Sequence, residues 1–238
     1  MSVAAPTDAV ETALSDADIY DRIVEAVMDH RLAPGTRLGE EKLGRAFGVS
    51  RTRIRQVLIR LAAEQIVVLN HNRGASIACP TPQEAQEVFG ARILIELPIL
   101  EAFIDNASAR DLANVARILR EEEQARRTQN RRAAIRLSGE FHLAIAAGAN
   151  NATLEKMLRE LVSRTSLILM TYQDTEAGAH EHGCGCDEHE SLLGAMQSRD
   201  TKTARRLMKR HLEHLQSQLS FEPDGSNTPN IESLFRPA

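Results

Sequence analysis

Two stretches of this 238-residue sequence concentrate side chains able to do chemistry. The run HEHGCGCDEHE, residues 180–190, places His180, His182, Cys184, Cys186 and Asp187 just ahead of His189. A Cys/His-dense tract is a compositional metal signal, and thiolates favour Zn²⁺, although this spacing matches no standard zinc motif. Cys184, Cys186 and Asp187 are therefore candidate metal or thiol ligands, with a glycine-rich loop of incidental ligands as the alternative. The second stretch, RTRIRQVLIR at residues 51–60, follows Ser50. At helical spacing Ile54, Val57, Leu58 and Leu61 share one face, which frees Arg51, Arg53, Arg55 and Gln56 for the other. An arginine fork of that kind can clasp phosphate, or guanine O6 and N7, with two hydrogen bonds. Taken alone, such a run is better read as a solvated charged face.

The charge distribution favours a nucleic-acid partner. The net charge is −4, yet residues 37–73 hold eight Lys/Arg against three Glu, a local excess of +5 that leaves −9 for the remainder. One module that meets phosphate and one that does not would produce this asymmetry. Aromatics make up 3% of the chain and tryptophan is absent, which favours Leu/Ile/Ala-packed helices. No apolar run approaches bilayer-spanning length, and Met1 to Leu14 lacks the basic start and apolar centre of a secretory signal. Three cysteines, two of them one residue apart, make no disulfide framework and fit a reducing compartment. A cytoplasmic protein with no membrane partner is expected.

These side chains need elements to position them. Residues 1–15 have no apolar period and read as a flexible N-terminal arm. Ile19, Ile23, Val24, Val27 and Met28 then step at helical spacing until Pro34-Gly35. A second helix spans roughly Glu40 to Phe47, Gly48 makes a turn, and Ser50 caps a third. Two β-type runs, 66–69 and 75–78, flank a polar turn and form a hairpin. Cys79-Pro80-Thr81-Pro82 marks a boundary. Beyond it, helices are expected over about 82–105, 109–128, 131–148, 151–176, 187–197 and 200–220, with Pro98 bending the first of them. The fold class is mainly α: a winged helix-turn-helix over 16–79, an all-α bundle over 80–222, and a flexible tail over 223–238.

Helix, helix, tight turn, helix and hairpin is the plan that seats one helix in the major groove and a wing beside it. The segment LAPGTRLGEEKLGRAFGVSRTRIRQVLIRLAAEQIVVLNHNRGASI, residues 32–77, closely resembles the winged helix-turn-helix of the GntR family. The resemblance implies that Ser50, Arg51, Thr52 and Arg55 touch bases and phosphates and that Gly74 is the wing-tip residue entering the minor groove. Lys42 and Arg73 join this set of DNA-binding candidates. Arg53 stands where the family often has proline, adding a donor to the reading face, and Glu41 stands where some members carry arginine.

Residues 81–220 resemble the FCD ligand-binding domain of the FadR-type GntR subfamily, through ARILIELPILEAFI, FHLAIAAGANN, DEHESLLGAM and MKRHLEHL in the expected order. The resemblance implies that His142, His189 and His211 bind a divalent metal in the bundle centre. Neutral imidazoles suit Zn²⁺, and three protein ligands leave a position open for water or an effector carboxylate. The family's fourth ligand, an aspartate, is replaced by Ser138, a poor ligand for such a cation. Arg92 aligns with a pocket arginine able to hold a carboxylate, with an intrahelical pair to Glu96 as the equal alternative. Asn150 fits a left-handed helix end. Asn151 and Ser138 complete the effector-binding candidates, and His214 has no assigned role.

The expected function is a sequence-specific DNA-binding transcription regulator. By resemblance it is a homodimer on a short operator palindrome of double-stranded DNA, modulated by a small carboxylate effector. The main alternative is a metal- or thiol-responsive regulator in which Zn²⁺ or Cys184/Cys186 chemistry is the signal. A metal-dependent hydrolase would leave the basic module without a purpose, and no nucleophile elbow, dinucleotide loop or P-loop is present.

Overall fold

The computed structural model describes residues 14–29, 31–70, 74–172 and 184–221, together with all their side chains except those of 184–186. Arg73, His180, His182, the thiols of Cys184 and Cys186, most of the N-terminal arm and the C-terminal tail lie outside the described residues. Among those described, the order is α1 (Asp16–Met28), β1 (Arg37–Leu38), α2 (Glu40–Phe47), α3 (Arg51–Ala63), β2 (Val67–Asn70), β3 (Gly74–Ile77), α4 (Pro82–Asn106), α5 (Ala109–Arg127), α6 (Arg131–Gly148), α7 (Ala152–Tyr172), α8 (Cys184–Gln197) and α9 (Thr201–Ser217). No described helix is long and apolar enough to cross a membrane.

Local chemistry explains why these helices start where they do. Ser15, Thr81 and Ser108 each accept from the backbone N–H three residues on, while Asp18, Glu84 and Asp111 reach back to the cap backbone. These reciprocal capping boxes satisfy donors that a helix start otherwise leaves bare. In α4, Pro82 occupies the first turn, where its missing N–H costs nothing, and the helix runs on through Pro98.

The N-terminal core gathers Ile19, Ile23 and Val27 of α1, Leu43 and Phe47 of α2, Ile54, Leu58 and Leu61 of α3, and Val67, Ala75 and Ile77 of the sheet. β3 lies between β1 and β2, antiparallel to both, with Val67 opposite Ile77 and Arg37 opposite Ser76. The two-residue β1 is an element that hydropathy periodicity misses, since two residues carry no period. Gly74 opens β3 at φ +80°, where an added Cβ would lie 3.0 Å from the Leu38 carbonyl oxygen. Both the backbone angle and the neighbouring strand therefore demand glycine there.

The C-terminal helices enclose a larger core built on Leu100, Phe103, Val115, Phe141, Leu158 and Leu212. α7 joins the two modules, because its Leu167 is fully buried in the N-terminal core. The Tyr172 hydroxyl also donates to the Pro80 carbonyl at 2.6 Å, tying the end of α7 to the linker.

Candidate functional site

The first site is the outer face of α3. Gly48 adopts the left-handed conformation (φ +66°) that reverses the chain after α2, and Ser50 Oγ then accepts from the Arg53 N–H at 3.4 Å. Burial of Ile54, Val57, Leu58 and Leu61 leaves Ser50, Arg51, Thr52, Arg55 and Gln56 exposed, with Lys42 exposed on α2. The first turn of α3 holds no acid. Its free N–H groups and the positive end of the helix dipole therefore add to Arg51 and Arg55 in drawing phosphate. Arg51 keeps a loose pair with Glu40 at 3.8 Å while its side chain stays 68% exposed.

Arg53 departs from the sequence expectation. Its Nε bonds Asp16 Oδ1 at 2.7 Å and its Nη2 donates to the Leu14 carbonyl at 2.5 Å. The guanidinium is turned back onto the start of α1, so it braces α3 instead of adding a donor to the reading face. Gly74 is half-buried against β1, and Asn70 pairs with it at the end of the hairpin.

The second site lies inside the C-terminal bundle. α6, α8 and α9 bring His142, His189 and His211 together, with one ring nitrogen from each lying within 4.8 Å of the others. All three are at most 2% exposed. A carboxylate backs each ring. His189 Nδ1 is 2.8 Å from Glu122 Oε2, and His211 Nδ1 is 2.8 Å from Glu188 Oε2. His142 Nδ1 is 2.6 Å from Glu96 Oε2, an ion-pair contact, and its Nε2 has no hydrogen-bond partner among the described residues. A carboxylate on Nδ1 fixes the tautomer that presents the Nε2 lone pair, which is the usual support for a metal-binding imidazole.

The inner nitrogens carry the strongest indication. His189 Nε2 and His211 Nε2 face each other at 3.1 Å. If both rings give their protons to the carboxylates behind them, two lone pairs meet there, and only a proton or a cation between them relieves the conflict. A proton is disfavoured, because burial, and then the neighbouring His189, push His211 down to about 3. Burial also lowers His142. The carboxylates stay ionised: burial would raise Glu96, but Arg92 and His142 outweigh it and hold it at about 2. Glu122 is likewise held at about 2, burial being outweighed by His189 and Arg126. The residues present thus fit a divalent cation held by neutral imidazoles.

Beside this centre is a cavity of about 20 Å³, bordered by Arg92, Ser138, His142, Thr165, Ser166 and Met28 among others. Arg92 makes the expected intrahelical pair with Glu96 and also borders the cavity. Its Nε bonds Glu96 Oε1 at 2.6 Å within α4 and its Nη1 reaches Thr165 Oγ1 at 3.5 Å, while its buried Nη2 has no hydrogen-bond partner among the described residues. Ser166 Oγ is also buried and unpartnered. Buried polar atoms left so are uncommon and expensive, and here they gather where a ligand would sit. Ser138 borders the cavity one turn before His142. Asn150 is left-handed (φ +58°), as its place after α6 requires.

Asn151 is corrected by the structure. It is exposed, its Oδ1 accepts from the Leu154 N–H at 3.1 Å to cap α7, and it is not among the residues that border the cavity. Asp187 is exposed in the first turn of α8, and it is the next residue, Glu188, that serves the centre by bridging His211 and His214. Sequence reasoning passed over Glu122 and Glu188. Helical phase could have found Glu122, which continues the buried series Val115, Ile118 and Leu119 along α5.

Comparison with known proteins identifies the family and the fold. The family profile described as "Bacterial regulatory proteins, gntR family" matches residues 16–77, and that described as "FCD domain" matches residues 87–214. The chain is similar to the HTH-type regulator YdhC of Bacillus subtilis, 24% identical over 196 residues that cover 82% of this chain and 86% of the relative. It is also similar to the Uxu operon regulator of Haemophilus influenzae, 27% identical over 211 residues that cover 82% and 77%. Its fold matches that of Escherichia coli McbR/YncC with a TM-score of 0.74 at 21% identity, covering 86% of this chain and 99% of that one. A GntR regulator from Rhodococcus sp. RHA1 matches at 0.76 and 22%, covering 85% and 96%. With its DNA-reading module and its helical domain both matched, this chain belongs to the GntR family of bacterial regulatory proteins, in the group that carries an FCD domain, and is a DNA-binding transcription regulator.

Proposed function

We propose that this regulator acts as a homodimer on a short operator palindrome and that a small carboxylic acid, held beside a divalent metal, sets its operator affinity. Two copies would present two α3 helices to successive major grooves, with Ser50, Arg51, Thr52 and Arg55 as the contacting residues and Lys42 in support. One observation carries the sensor reading: Arg92, His142 and Ser166 border the same cavity, and among the described residues Arg92 Nη2 and Ser166 Oγ are left able to donate to an anion while His142 Nε2 is left able to hold a cation. When bound, a cation such as Zn²⁺ supplies a Lewis-acidic position for a carboxylate oxygen. The chain's own part is to present three neutral imidazoles, oriented by Glu96, Glu122 and Glu188, and to hold the far carboxylate oxygen with Arg92. Ser138 contributes a hydroxyl where an acid would bind the cation more tightly, so the bound acid takes a larger share in holding the metal.

Calorimetric titration of the chelator-treated protein tests this reading, with Zn²⁺ alone and with Zn²⁺ in the presence of acetate or succinate. We expect about one Zn²⁺ per chain and tighter binding of Zn²⁺ when the acid is present. Protein that takes up neither metal nor acid contradicts the sensor reading. Operator affinity that follows Zn²⁺ alone, and loses that response in Cys184→Ser, supports a metal- or thiol-responsive regulator instead.

A further inference from the structure

The wall of the sensor cavity includes a residue from the other module. Met28, the last residue of α1, borders the cavity with Arg92, Ser138, His142 and Ser166 and packs against the core of the C-terminal bundle. It lies against Gly139 of α6, where an added Cβ would touch Met28 Cε at an ordinary 3.5 Å and clash with Val162 Cγ1 at 2.9 Å. One turn earlier on α6, Arg136 Nε lies 3.4 Å from Asp29 Oδ1, so the C-cap of α1 is fastened beside the same helix. The rest of α1 belongs to the DNA-reading core, where it packs on α3 and Arg53 of α3 grips its first turn.

We infer that Met28 is a ligand-contacting residue of the sensor site, contributed by the DNA-reading module, and that it converts occupancy of the cavity into displacement of α1 and hence of α3. The inference rests on the acid-sensing reading above. A cavity of about 20 Å³ accepts one water-sized group, since one water needs on the order of 10–15 Å³. A carboxylate and its carbon substituent exceed that room, so a wall must move. Arg92 is locked to Glu96, and His142, Ser166 and Leu169 are buried in mid-helix. Ile135 and Leu215 are half-buried like Met28, but they are branched and lie within α6 and α9, whereas Met28 is unbranched and is the last residue of α1, which makes it the wall that yields. A ligand that fits better with Met28 displaced selects the corresponding arrangement of α1.

The Zn²⁺-loaded full chain is titrated with sodium acetate against equal ionic strength of sodium chloride. Calorimetry reads acetate binding, and anisotropy reads binding of a labelled duplex recovered by selection from a random pool. In the wild type acetate changes the duplex Kd by about fivefold or more, the lower end of ordinary allosteric coupling. Met28→Ala, in which the space already exists, binds acetate at least as tightly but changes the duplex Kd by less than about twofold, and the volume-conserving Met28→Leu restores the response. Met28→Ala responding as strongly as wild type, with acetate bound in both, overturns the inference and leaves the acid-sensing reading intact. Wild-type protein that binds no acetate defeats that reading and this inference with it.

Discussion

Replacing Arg51 and Arg55 together with alanine lowers specific operator affinity by about thirtyfold or more while leaving the fold intact. Each well-made guanidinium contact to a base is worth about 1–3 kcal/mol, so two of them span roughly thirtyfold to about 25,000-fold. Both side chains are exposed, and Arg51 keeps only a 3.8 Å pair with Glu40. Thermal stability should therefore move by no more than about 0.5 kcal/mol. Arg53→Ala is the contrasting variant. Its guanidinium is engaged by Asp16 and Leu14, so its loss loosens α1 from α3, lowers stability by about 1 kcal/mol, and weakens binding to all duplexes alike. Anisotropy titrations of the three proteins against one selected duplex and one scrambled duplex separate these effects. Equal binding by wild type and the double variant would show that DNA is read elsewhere.

Zinc raises the melting temperature of the wild type by about 5–10 °C, and His211→Ala removes that rise. A ligand that binds only the folded state at about a hundred times its Kd adds about 2.7 kcal/mol, and for a protein of this size each kcal/mol moves the midpoint by about 2–4 °C. The stabilisation has a local origin. Without a cation, His189 Nε2 and His211 Nε2 confront each other at 3.1 Å in a fully buried setting, and burial, followed by His189, opposes protonation of His211. His211→Ala removes both the conflict and a ligand, so the variant without metal melts close to the wild type without metal and gains nothing from zinc. Scanning calorimetry with chelator and with Zn²⁺ checks each arm. A wild type whose midpoint is the same in both would remove the case for a metal centre.

The fold was largely legible in the chain itself because its signals are local. Ser50 ahead of a helical apolar period, and the short apolar runs on either side of a polar turn, are statements about neighbours a few residues apart, and they suffice for a winged helix-turn-helix. The helices of the bundle follow from the same periods. The sites were legible only in part. Arg53 looked like a free donor because its partner Asp16 lies 37 positions away, beyond any local pattern. Glu122 was hidden in a run of acids at residues 121–123, where only the phase of α5 distinguishes the buried residue from its exposed neighbours. Asn151 was placed in the effector set as the residue that begins the next helix, within reach of the cavity, whereas its short amide side chain finds a nearer partner in the bare N–H of Leu154. The role of Met28 could not be read at all, since it depends on where one module comes to rest against the other.

Selection from a pool of random duplexes, followed by titration of the enriched duplex at several salt concentrations, tests most directly whether the exposed start of α3 reads DNA. The account predicts enrichment of one short inverted repeat, binding to it at least a thousandfold tighter than to scrambled duplex, roughly the lower end for specific regulators, and affinity that falls linearly as log salt rises. A pool that emerges unenriched, with every duplex bound equally weakly at low salt, would contradict it.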